Sequence, residues 1–325
     1  MRKTMKTLCA LAFAILALAC GHAAAQDFPS RPIKLVVPYP PGGGVDGLAR
    51  PLADRLSKMW GQPVVIENKP GASTMLGGAD VARAAPDGHT LLFTTDSSIT
   101  SNPHLFKQMS YDPAKELAPI TQLIDLHQLV LLHPSVPANT MKELVALAKE
   151  MPNKLNYGSY GIGTYAHLSM EDFKQRTGTD IVHIPFRGAA PAANALLADS
   201  VNMLLLNLSS IADHETTGKV RILAAAGAKR IASRPDLPTI AESGVPGFQT
   251  SVWFGLFGPP NMPPELATKI HADVSKVLDQ PQSKEFFEKN TFERVTLTPP
   301  EFSKLVADDS KHWEAIIKQV GAKID

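Results

Sequence analysis

Cysteine is the first thing this chain lacks. Both of its cysteines, Cys9 and Cys20, fall before Ala25. Once that stretch is removed, thiol catalysis, disulfides and cysteine-ligated metals are excluded together. A long apolar run is also missing: beyond Ala25 no segment approaches the roughly 18 uninterrupted apolar residues that a membrane span needs. Excess charge is missing too. Lys and Arg total 32 against 31 Asp and Glu, and no basic run interleaves with aromatics, so nucleic acid is not an expected partner.

Catalytic signatures are equally thin. The histidines form no HExxH and no close i, i+4 pair around an acid, so no metal site is expected. A G-x-S-x-G elbow is absent, and the nearest run, Gly158-Ser159-Tyr160-Gly161, has the wrong spacing. A triad assembled from residues distant in sequence stays open. A secreted α/β hydrolase or isomerase acting on a small carboxylate is therefore the competing reading.

What is present begins with a secretory signal. Arg2, Lys3 and Lys6 precede an apolar core from Leu8 to Ala19, and Ala23, Ala24 and Ala25 supply a small-residue cleavage site. The expectation is cleavage after Ala25 and a periplasmic chain; lipid attachment at Cys20 is a lesser alternative, because Ala17-Leu18-Ala19 makes a poor lipoprotein site.

The stretch Ile33–Trp60 organises the rest. Ile33 to Val37 reads as a buried strand, ended by Pro38, Pro40 and Pro41, which lack the N–H that a sheet interior uses. Gly42, Gly43 and Gly44 make a turn. Val45, Leu48, Ala49, Leu52, Ala53, Leu56 and Met59 then recur at helical spacing. Such a turn exposes unshielded backbone N–H groups, and the helix start adds partial positive charge, so an anion is welcome there. A sharp turn with no ligand would account equally well for three glycines taken alone.

Similar units follow. A strand at Pro63–Glu67 leads to a turn over Gly71, Ala72 and Ser73, and to a helix from about Thr74 to Ala85 in which Gly77 and Gly78 imply a close neighbour. A strand at Thr90–Thr94 ends in Thr95, Asp96, Ser97 and Ser98. Apolar residues then run from Leu117 to Leu132 as one long strand, with a crossover between domains near Leu126. A capping box at Thr140–Glu143 starts the next helix.

The strand at Leu155–Gly158 ends in a turn of glycine and hydroxyl residues, Ser159 to Thr164, before a helix from Tyr165 to Thr177. Its Gly161-x-Gly163 pair lacks the third glycine of a dinucleotide loop, and no cofactor is expected. Ile181–Phe186 ends in Arg187, whose guanidinium could grip a carboxylate in two parallel bonds or simply pair with a surface acid. Ser251–Gly258 is the expected return crossover, and the helices after it read as scaffold.

The runs PSRPIKLVVPYPPGGGVDGLAR, VVIENKPGASTMLGG, PDGHTLLF, NPHLF, YDPAKELAPIT, LNYGSYGIGTYAHL, HIPFRGAAPA, RPDLPTIAESGVPGF and WFGLFGPP resemble the Bug family, the extracytoplasmic solute receptors of tripartite tricarboxylate transporters. The resemblance spans essentially the whole mature chain. It implies a two-lobed periplasmic binding protein of type II, a Venus flytrap, each lobe a mostly parallel sheet flanked by helices, with two crossover strands. Residues 26–126 plus 250–325 would form lobe 1 and residues 127–249 lobe 2. A monomer of this kind would close on a small carboxylate (a di- or tricarboxylate, amino acid or aromatic acid) and pass it to a membrane permease.

The resemblance also implies the ligand contacts. From lobe 1 these are Tyr39, Pro41, Gly42, Gly43 and Gly44, then Ala72, Ser73, Thr95 and Asp96, with Asp46 bracing the glycine loop. From lobe 2 they are Ser159, Gly161, Gly163, Thr164 and His167, then Arg187, Gly188, Ala189 and Asn207. The chain departs from the family at Asp96, where a neutral residue is more usual, and at Asn207-Leu208-Ser209-Ser210 followed by His214-Glu215. Asp96 is accordingly expected to accept a hydrogen bond from a ligand ammonium or hydroxyl.

Overall fold

The computed structural model describes residues 28–42, 44–207, 212–250, 252–290 and 292–324. The signal segment with Cys9 and Cys20, and Gly43 of the glycine turn, lie outside them. Among the described residues no helix is long and apolar enough to cross a membrane.

Eleven strands form two sheets. In chain order they are β1 (Ile33–Val37), β2 (Val64–Asn68), β3 (Thr90–Thr95), β4 (Ala118–Leu126), β5 (Gln128–Leu132), β6 (Asn156–Ser159), β7 (Val182–Pro185), β8 (Met203–Asn207), β9 (Arg221–Ala225), β10 (Val252–Gly258) and β11 (Phe292–Arg294). The first sheet has the order β11-β4-β10-β3-β1-β2 and the second β7-β6-β8-β5-β9. Each defines one lobe.

Both sheets are mixed. The trios β2-β1-β3 and β7-β6-β8 are parallel, as strand–helix alternation predicts. The strands that carry the chain between lobes join them antiparallel: β10 beside β3, and β5 beside β8. The apolar run from Leu117 to Leu132 is two strands rather than one. β4 ends at Leu126 and β5 begins at Gln128, so His127 alone separates the sheets. On the return, the Thr250 N–H bonds the Ala226 carbonyl of the second lobe at 2.9 Å, and Val252 pairs with Leu126 in the first.

Period-two alternation decides which face each strand residue covers. In the first sheet Leu35, Val37, Leu91 and Phe93 pack under the Gly44–Trp60 and Pro264–Leu278 helices, while Val36 and Leu92 face Trp253, Phe257 and Phe302 beneath the Pro299–Val320 helix. In the second, Tyr157, Met203 and Leu205 face Leu144 and Phe173, and Leu204 and Leu206 face Ala192 and Leu196. Covered on both faces, each sheet leaves only its strand ends for a site. The apolar face expected of Gly44–Trp60 is buried from Val45 to Leu56, but Met59 in its last turn stays open.

The close neighbours implied by Gly77 and Gly78 are Pro38 and Tyr111. A Cβ on Gly77 would stand 2.8 Å from that of Pro38, and one on Gly78 would strike the Tyr111 hydroxyl. The helix they sit in runs from Met75 to Ala82, shorter than the pattern suggested. A helix at Pro281–Asn290 and the edge strand β11 carry no signal that the pattern picks out.

Candidate functional site

In parallel units, ligands meet the carboxyl ends of the strands. Here those ends are Val37, Asn68 and Thr95 in the first lobe, and Ser159, Pro185 and Asn207 in the second. The chain crosses between lobes at the same edge, so the turns that follow these strands are gathered along one interlobe seam.

The first-lobe turn is built on Asp46. Its Oδ2 accepts the Gly42 N–H at 2.8 Å and the Arg50 Nε at 2.7 Å; its Oδ1 accepts Arg50 Nη2 and Asn68 Nδ2, both at 2.9 Å. The same Asn68 amide donates to the Tyr39 carbonyl at 3.1 Å, which ties the turn after β1 to the end of β2. Burial pushes the Asp46 carboxyl up, but Arg50, Gly42 and Asn68 outweigh it and hold it below the usual range. The acid in the first helical turn is therefore already neutralised. Pro41, Gly42 and Gly44 remain exposed at the rim, where the 17-residue helix begins.

The turn after β2 is left-handed. Ala72, Ser73 and Thr74 have φ of 45°, 50° and 78°, values that cost a side-chain-bearing residue on the order of 1 kcal/mol each. Gly71, Ala72 and Ser73 are exposed. The hydroxyls after β3 are, by contrast, committed to one another: the Tyr39 hydroxyl lies 2.8 Å from Thr95 Oγ1 and 3.1 Å from Ser98 Oγ, and Thr94 Oγ1 donates to Ser98 Oγ at 2.7 Å. Thr95 is buried beneath Tyr39.

Asp96 is only 3% exposed. It stands near Asp309 of the last long helix, and the field of its carboxylate reaches Tyr160 and Tyr165 of the second lobe. Burial first, and then the Asp309 charge, push the Asp96 carboxyl well up. Asp309 is pushed up by burial as well, while accepting Thr100 Oγ1 at 2.8 Å and Trp253 Nε1 at 3.2 Å. Asp96 thus belongs to the floor between the lobes, not to the open rim. Its carboxyl is covered there, unlike the exposed turns at Pro41, Gly42 and Gly71–Ser73.

The second-lobe turn is held by hydroxyls and imidazoles. Thr164 Oγ1 donates to the Gly161 carbonyl at 2.6 Å, and the Gly163 N–H donates to His167 Nδ1 at 3.1 Å. Ser159 Oγ donates to the Gly161 carbonyl at 3.0 Å and lies 2.7 Å from His183 Nε2. His183 is stacked between Tyr157 (centroids 4.8 Å apart) and His167 (4.2 Å). Burial and the neighbouring His167 bring His183 down to about 4, and burial lowers His167 too. His167, buried, is a strut under the turn. The Ser159–His183 contact is no nucleophile pair: Ser159 is 0% exposed and its hydroxyl hydrogen is given to Gly161.

Beside this turn, Arg187 is exposed and has no ion pair among the described residues. Gly188, at φ 116°, turns the chain into the Ala189–Leu197 helix, where Ala189 is exposed. Asn207 ends β8 half-buried, and residues 208–211 lie outside the described ones. Glu215 is gripped by both terminal nitrogens of Arg234, at 2.8 and 3.0 Å.

The lobes touch behind the turns. A Cβ on Gly163 would stand 3.0 Å from Leu105 and 3.2 Å from Ile324, and Leu105, Tyr165, Leu168 and Trp313 form one apolar cluster. Pattern reading missed Arg50, Asn68, Asn102, His183 and Asp309. Their roles rest on contacts between distant segments: Thr100 and Asp309 are 209 residues apart. Among the described residues no group of three His, Cys, Asp or Glu could hold a metal.

Comparison with known proteins agrees with the two-lobed α/β fold. Residues 48–322 match the model of the tripartite tricarboxylate transporter family receptor. BugT of Bordetella pertussis is 31% identical over 301 residues, covering 92% of each chain. The structure of R. palustris Rpa4515 with adipate is 33% identical, covers 91% of this chain and 99% of that one, and superposes with a TM-score of 0.76. MatC from Rhodopseudomonas palustris with bound malate is 30% identical, with 89% and 100% covered and a TM-score of 0.71.

Proposed function

The chain belongs to the tripartite tricarboxylate transporter receptor family, a family of solute receptors and not of enzymes, and from that premise we propose that it captures a small dicarboxylate between its lobes in the periplasm and delivers it to a membrane permease. One carboxylate is held by the first lobe just past Gly42, whose own N–H is taken by Asp46, through the main-chain N–H groups of Gly44 and Val45 at the positive end of the 17-residue helix. The turns of Ala72–Ser73 and Gly161–Thr164 flank it. The other carboxylate meets Arg187, whose planar guanidinium suits a two-bond grip. Closure follows from rotation about His127 and the return near Thr250.

One observation carries this reading. The anion-seeking turn of the first lobe has its own acid neutralised by Arg50, while the second lobe presents a guanidinium with no ion pair among the described residues. Two carboxyl groups satisfy both; one leaves a cation idle. The adipate and malate seated in the two related structures are acids of this class.

A thermal-shift panel of mono- and dicarboxylates of four to six carbons tests it. Dicarboxylates are expected to raise the melting temperature and to be recovered unchanged by mass. Arg187→Ala should weaken the best dicarboxylate about 10- to 100-fold, the loss of a charge-assisted pair, and barely alter a monocarboxylate. Equal losses for both classes would remove Arg187 from the second carboxylate, and no stabilisation by any acid would overturn the proposal.

A further inference from the structure

The left-handed turn between β2 and the Met75–Ala82 helix is the most strained stretch of backbone in the described chain. Six non-glycine residues among the described ones have positive φ, and the three that are consecutive, Ala72, Ser73 and Thr74, are all in this turn. A Cβ makes such a turn unfavourable at each position, so something outside it has to hold it. One side chain does. Asn102 Nδ2 donates to the Ser73 carbonyl at 2.8 Å and reaches Thr74 Oγ1 at 3.4 Å.

Asn102 is buried, 8% exposed, and opens the short helix that follows the Ser97–Ser101 turn after β3. Its amide thus fastens the turn after β2 to the turn after β3. Within the strained turn the Met75 N–H bonds back to the Ala72 carbonyl. The N–H groups of Ala72 and Ser73 precede any carbonyl the turn could offer them, and no described residue accepts them. Both residues are exposed, next to the Gly42–Gly44 turn, because β1 and β2 pair in register from Ile33↔Val64 to Val37↔Asn68.

We propose that Asn102 is a positioning residue for ligand capture: by clamping the Ser73 carbonyl it keeps a strained left-handed turn from relaxing, and so keeps the Ala72 and Ser73 amides aimed at the carboxylate held by the glycine loop. The inference rests on the carboxylate-receptor reading above. It places part of the recognition on a residue that never touches the ligand. It also explains why residues other than glycine are tolerated in the turn: Asn102 opposes the strain that their side chains create.

The test is a rescue. Asn102→Ala should weaken the best dicarboxylate of the panel about tenfold. Adding Ser73→Gly and Thr74→Gly, which remove the Cβ penalty, should restore affinity to within about threefold of wild type. Asn102→Asp, which keeps the shape and loses the donor, should behave like Asn102→Ala and serves if the alanine variant folds poorly. Unchanged affinity in the single variants, or a loss that the glycines do not restore, overturns the proposal. Hydrogen exchange at the Met75 amide of the free protein gives a readout without ligand: faster in Asn102→Ala, slow again in the triple variant. That exchange result decides the role of Asn102 even if wild type binds none of the acids, an outcome that would sink the receptor reading separately; an exchange rate indifferent to Asn102 overturns the inference.

Discussion

The two glycine turns that line the seam share a plan of strand, turn and helix, yet they are anchored by different chemistry. In the first lobe one buried carboxylate, Asp46, gathers a main-chain N–H, a guanidinium and an amide. In the second, hydroxyls and two stacked imidazoles do the work of that carboxylate. The difference teaches that the same turn can be made stiff by charge or by neutral hydrogen bonds, and that the two choices give way to acid in different pH ranges and to mutation by different amounts.

The largest expected effect breaks the first anchor. Asp46→Ala removes the acceptor of every bond in that cluster and should lower stability in urea by about 2–3 kcal/mol, with the ligand-induced shift lost. Ser159→Ala in the second lobe replaces neutral bonds only and should cost about 1–2 kcal/mol. A larger loss for Ser159→Ala would reverse the comparison.

Acid should separate the turns without mutation. His183 is held down to about 4 from a usual 6.5, so the folded protein prefers it neutral and loses stability as pH falls from about 6.5 toward about 4. His167, also lowered, adds to the same trend, and once protonated at Nδ1 it can no longer accept the Gly163 N–H. Asp46 lies below its usual 3.8, so its contribution is complete above that value and is lost only at lower pH. Hydrogen exchange, corrected for intrinsic rates, should therefore show Gly163 losing protection between pH 6.5 and 4.5 while Gly42 keeps it. Simultaneous loss at both amides would contradict the assignment.

The smallest effect concerns the floor. Asp96 and Asp309 have raised pKa values, so the stability they lend is complete below 3.8 and declines as pH rises through their folded values. Asp96→Asn is already neutral and should be more stable than wild type by about 1 kcal/mol at pH 8, with the gap closing toward pH 5. A gap that widens in acid would show that Asp96 is held ionised.

The framework was legible because it depends on local pattern. Apolar runs, prolines and glycines mark β1, the glycine turn and the helix behind it without help from the rest of the chain. The anchors of the site were not, because they depend on which distant segments meet. Asp46 stands out in the sequence as an acid in a first helical turn, but nothing local shows that Asn68 and Arg50 share its two oxygens. His167 and His183 are ordinary histidines until the Tyr165–Thr177 helix brings the first against the second, on β7, and stacks them. Asp96 stands out as an acid among hydroxyls, and only the last helix, arriving with Asp309, shows that burial and a second acid push its carboxyl up. The final helix, read as scaffold, is for that reason part of the site's foundation.

The most direct test is amide hydrogen exchange with and without the dicarboxylate that stabilises the protein best. If one small acid bridges the seam, the amides of Gly44 and Val45 in the first lobe and those of Gly161 to Thr164 in the second should gain protection together, at the same ligand concentration. Protection confined to a single lobe, or arising in the two lobes at different concentrations, would contradict a shared ligand held between them.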